Sequence, residues 1–120
     1  HLHAVGDERV FLVGDLIDSA SPLFGHYPKS GHLASHLGRI AAQEIAARAS
    51  GKTTGTLLPE SRCFVSTCMD PLESLRIDTQ YRLRGDGLIA QTTKQHFDPN
   101  PRGEDEDWAK GMFGEMFSYQ

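Results

Sequence analysis

"LRIDTQYRLRGDGLIAQTTKQ", residues 75–95, decides how this chain folds. Leu75, Ile77, Thr79, Tyr81 and Leu83 alternate with Arg76, Asp78, Gln80 and Arg82. Successive side chains of a strand point to opposite faces, so the first nine residues predict a strand with one buried and one wet face. Arg84-Gly85-Asp86-Gly87 has turn composition, and Leu88 to Gln95 reads as the returning strand. A hairpin makes the sheet antiparallel.

Working outward, "RCFVSTC", 62–68, is a further short strand, and residues 50–61 before it read as loop. On the other side "FDPNPRGEDED", 97–107, is a polar linker ending in an acidic run. Carboxylates suit the partial positive charge of a helix start. Trp108, Met112 and Met116 recur every four residues with Phe113 and Phe117 beside them, which predicts a short amphipathic helix.

The first half of the chain reads differently. Val10 to Val13 is a continuous apolar run, as in a buried strand, and it stops at Gly14-Asp15. Residues 16–30 carry Ser, Pro and Gly and read as loop. From Gly31 to about Ala49 Leu33, Leu37, Ile40, Ala41 and Ile45 form one helical stripe, with Arg39, Gln43 and Arg48 off it. The order strand, helix, strands, helix predicts an α+β fold: a small antiparallel sheet of about three strands with two helices. Such a thin core in 120 residues would leave an apolar face uncovered, a surface for self-association.

Bulk properties narrow the function. A formal charge of −4 argues against a broad basic surface for nucleic acid. No apolar run approaches the ~20 residues needed to cross a bilayer, and no signal peptide opens the chain. Two cysteines, Cys63 and Cys68, are too few for a disulfide framework, and five positions along a strand put them on opposite faces. His32 and His36 have a metal-ligand spacing on a helix. No glutamate follows in the zinc-protease pattern and no third ligand is evident, so they read as a surface face and no metal is expected.

Gly14-Asp15 carries the chemistry. Glycine at a strand end admits a ligand to the backbone. An ionised aspartate only accepts hydrogen bonds and so suits the hydroxyls of a polyol. A helix start at Gly31 aims unpaired N–H groups at what precedes it, favouring the anionic pyrimidine edge of a reduced flavin. The bland alternative is a turn with a capping aspartate.

"VFLVGD", a loop, "PKSG", an alanine-rich helix, "STC", a hairpin and a late tryptophan occur in this order. The set resembles the C-terminal flavin-binding domain of the flavoprotein subunit of flavocytochrome c sulfide dehydrogenase, within the two-dinucleotide-binding-domain flavoproteins. The resemblance runs from about Arg9 to Phe117. It implies an FAD-dependent oxidoreductase taking sulfide to sulfur or polysulfide, with a cytochrome c subunit as electron acceptor, in the periplasm. Residues 1–52 would end the FAD-binding segment, and 53–120 would form a flavin-facing interface domain. Gly14 and Asp15 match the motif that holds the ribityl chain, and Lys29, Ser30 and Gly31 the segment near the ring. Cys68 matches a redox cysteine whose partner lies in the N-terminal part, and Trp108 a tryptophan packed near the flavin.

Departures from the pattern are definite. The loop from Leu16 to Tyr27 is longer than the family suggests, and Cys63 has no counterpart. The phosphate-cradling GxGxxG and the cysteine that attaches flavin covalently are missing. The chain is therefore expected to be the C-terminal piece of a longer polypeptide, inactive alone. Rival readings are a sulfide:quinone reductase, which needs an apolar surface, and a non-catalytic interaction domain of the same fold.

Overall fold

The computed structural model describes residues 2–118, so His1, at the head of the first expected segment, lies outside the described residues. The fold is α+β. A two-stranded antiparallel ribbon pairs β1 (His3–Ala4) with β2 (Asp7–Phe11). A 3-10 turn, Gly14–Leu16, precedes the loop to α1 (Gly31–Ala49). A three-stranded antiparallel sheet follows in the order β3 (Glu60–Met69), β4 (Leu72–Leu83) and β5 (Ile89–Asp98), and α2 (Glu104–Phe117) closes the described chain.

The chain packs as two compact units of interleaved segments. The first comprises His1–Ser61 and Thr79–Thr92, the second Arg62–Asp78 and Thr93–Gln120. In the first unit, Leu33 and Leu37 are 1% exposed and Ala41 is also buried. Their spacing of three or four residues turns one face of α1 inward. Burying each leucine contributes roughly 1.5–3 kcal/mol. The expected stripe extends one turn too far, since Ile45 is exposed and Glu44 is buried in its place. Ser30 caps the helix, its side chain accepting the Leu33 N–H at 3.2 Å.

The apolar run at Val10 to Val13 is not a buried strand. The strand ends at Phe11, with one further bond from the Leu12 N–H to the Leu2 carbonyl at 2.7 Å, and Val10 is 47% exposed. A two-stranded ribbon buries little of either face. Arg48 ties this ribbon to α1: its guanidinium donates to the Glu8 carbonyl at 2.9 Å, pairs with Glu44 and lies 5.1 Å over the Phe11 ring.

The hairpin lies where its sequence puts it. The Arg84 N–H donates to the Leu88 carbonyl at 2.8 Å and the Gly87 N–H to the Arg84 carbonyl at 3.0 Å. Thr79 and Tyr81 are buried as the alternation requires, while Leu83, at the strand end, is exposed. In the second unit Asp78 pairs with both Arg62 and Arg76, the latter at 3.0 Å. Burial alone would raise the Asp78 carboxyl; the two guanidiniums outweigh it and hold the group below its ordinary value.

Candidate functional site

Gly14 packs against the first turn of α1. It holds a φ of +67°, and a β-carbon built on it would stand 3.3 Å from the Ala34 Cβ. Glycine adopts that backbone without the steric cost other residues meet, and the missing side chain lets the turn approach the helix. The 3-10 turn is closed by the Ile17 N–H donating to the Gly14 carbonyl at 3.2 Å. Asp15, next along it, is exposed.

Of the expected flavin-contacting residues, Gly14, Asp15, Lys29, Ser30 and Gly31 all belong to the first unit. Lys29 and Gly31 are exposed, and Ser30 is half-buried with its oxygen engaged in the cap. The cap satisfies the Leu33 N–H, and the Ala34 N–H donates to the Ser30 carbonyl at 2.9 Å. Gly14 thus brings the turn that carries Asp15 against the first turn of α1, and Ala34 fills the space its side chain would take.

Cys68 and Trp108 belong to the second unit. Cys68 is half-buried at the end of β3, and its thiol donates to the Asp70 carbonyl at 3.6 Å. Trp108, on the first turns of α2, meets Phe64 with ring centroids 5.6 Å apart. Phe64 and Cys68 are separated by an even number of residues and share a face of β3, about 13 Å apart along the strand. Cys63, an exposed free thiol, lies on the other face. The α2 start is acidic as the sequence requires. Glu104 is held below the usual carboxylate range by its own backbone N–H and that of Arg102, which donates to it at 2.9 Å.

Sequence reasoning missed an aromatic group in the first unit. Tyr81 lies 4.9 Å from Tyr27, edge to face, and 5.3 Å from Phe24, which is 5.7 Å from Tyr27. Burial and the neighbouring Tyr27 push the Tyr81 phenol up to about 12, and its hydroxyl is buried with no hydrogen-bond partner. The alternation placed Tyr81 on the buried face, but its partners Phe24 and Tyr27 lie in a loop without periodicity. The His32 and His36 rings meet at a tilt with centroids 4.4 Å apart, and among the described residues no group of three His, Cys, Asp or Glu is placed to hold a metal ion.

Comparison with protein-family models, with curated proteins and with solved structures gives no match to this chain.

Proposed function

We propose that this chain is the C-terminal part of an FAD-dependent sulfide dehydrogenase that passes electrons to a cytochrome c. The observation that supports the reading is the seat of Gly14 against Ala34 in the first turn of α1, which brings the turn carrying Asp15 up to that helix. Gly14 and Asp15 would hold the ribityl chain, and Lys29, Ser30 and Gly31 would border the ring. Bound FAD supplies an acceptor that takes two electrons together and releases them singly. Residues contributed by the rest of the polypeptide would complete its site.

Cys68 suits the sulfur chemistry because it is a free, partly accessible thiol at a strand end. Paired as a disulfide with the second family cysteine, it would be attacked by hydrosulfide. A new S–S bond forms on Cys68, the old one breaks, and the second cysteine leaves as thiolate. Trp108, which meets Phe64 within the second unit, is the tryptophan that the resemblance assigns to packing near the flavin.

The test is made in the full-length polypeptide containing this segment. Asp15→Ala should lose bound flavin, read as flavin absorbance after purification. Cys68→Ser should keep the flavin and lose sulfide-driven reduction of cytochrome c. Full turnover in Cys68→Ser favours a non-catalytic interaction domain of this fold and overturns the reading. One observation favours a quinone as acceptor instead: Phe113, 55% exposed, and Phe117, 63% exposed, stack on α2 and offer an apolar surface. Reduction of a soluble quinone in preference to cytochrome c would select that reading.

A further inference from the structure

We propose that His32 and His36 form an open two-imidazole site for a divalent transition-metal ion, with copper(II) the strongest binder. Residues four apart on a helix lie on one face, about 6 Å apart along the axis. Here the two rings have already turned toward each other, with centroids 4.4 Å apart and planes inclined at 56°. The two rings stand side by side on one helix face, the placement a chelating pair needs. Imidazole is a favoured ligand of copper, nickel and zinc, and affinity rises to copper(II) across the divalent series.

No third protein ligand is needed. A tetragonal copper(II) ion takes two adjacent imidazole nitrogens and leaves its other positions to water or an incoming ligand, so the site is open and exchangeable. A closed structural site is a different arrangement, and no three-ligand group is present among the described residues. The backbone beneath the pair is fixed. Leu33 and Leu37, each next in sequence to one of the histidines, are the most deeply buried residues of α1. Both imidazoles are half-buried and keep an accessible edge. The partial positive charge of the helix start opposes a cation, but it is confined to the first turn and His36 lies in the second. Neither histidine belongs to the proposed flavin site, so this inference stands apart from that reading.

The experiment is a copper(II) titration of the chain, followed by calorimetry and electron paramagnetic resonance. Four of the six histidines lie outside the pair, so the His32→Gln/His36→Gln double variant measures background binding. The unaltered chain should bind one tight equivalent with a two-nitrogen hyperfine pattern. Each single variant should lose roughly a hundredfold in affinity, the gain that linking two ligands provides. Glutamine is at least as good a helix former as histidine, and circular dichroism confirms that α1 survives. Affinity no tighter than the double variant overturns the proposal. So does a one-nitrogen pattern in the unaltered chain, which needs no variant at all.

Discussion

Gly14 and Ala34 meet so closely that a β-carbon on the glycine would stand 3.3 Å from the alanine methyl. Two costs therefore fall on Gly14→Ala. Leaving glycine at a φ of +67° costs about 1–2 kcal/mol, and the methyl contact adds to it. Gly6 has a φ of +89° with nothing within 4 Å of its built β-carbon, so Gly6→Ala meets the backbone cost alone. Urea denaturation should rank Gly14→Ala as the more destabilised. Equal losses would mean that the approach to α1 contributes nothing.

Ser30 closes the start of α1 by accepting the Leu33 N–H. Ser30→Ala should cost about 1 kcal/mol, and Ser30→Asp should recover most of it because aspartate caps equally well. Thermal melts followed by helix circular dichroism decide the point. A melting temperature unchanged in Ser30→Ala would remove the cap from the account.

Arg48 is positioned to matter more than its exposure suggests, since it touches Glu44, the Glu8 carbonyl and the Phe11 ring. Arg48→Ala leaves the buried Glu44 carboxylate without this partner and should cost about 1–3 kcal/mol. Arg48→Lys keeps the charge but loses the planar fork and should recover only part. A double-mutant cycle with Glu44→Gln measures the coupling, and a coupling near zero would refute the pairing.

Tyr81 gives the chain an alkaline weakness. Its phenol is raised from 10.0 to about 12, so between those values the unfolded chain has released a proton that the folded chain retains. Stability from this group is full below pH 10.0 and is lost as pH rises toward about 12. Tyr81→Phe should flatten that slope. At neutral pH it should be between neutral and about 1 kcal/mol stabilising, because a buried hydroxyl without a partner is removed. Denaturation at a series of alkaline pH values reads both effects; an unaltered slope in Tyr81→Phe would contradict the assignment.

What was legible in the sequence was periodicity. The stripe from Leu33 to Ala41 and the alternation from Leu75 to Tyr81 set α1 and β4, because three-four and two-residue repeats leave few other solutions. The acidic run and the spaced Trp108 and Met112 did the same for α2. Length alone misled at Val10 to Val13, where an apolar run without a covering layer became the end of an exposed ribbon. β3 runs from Glu60 to Met69, beyond the 62–68 expected, because edge pairing extends through polar residues that carry no hydrophobic signal. Gly14 stood out in the sequence as a glycine ending an apolar run, and the structure gives it a positive φ. The burial of Glu44 was not legible, and neither was the ring group, since Phe24 and Tyr27 reach Tyr81 from a distant segment of the chain.

Ser21 donates its hydroxyl to the Ile89 carbonyl at 2.7 Å and accepts the Leu23 N–H at 3.2 Å, both within the first unit. The long connection between the 3-10 turn and α1 is thus moored at Ser21. It behaves as two short spans, each with its own modest closure entropy, rather than as one slack arc. Extra residues grafted into either span would leave the other undisturbed, so this connection can vary in length while Lys29 and Ser30 keep their station at the helix start.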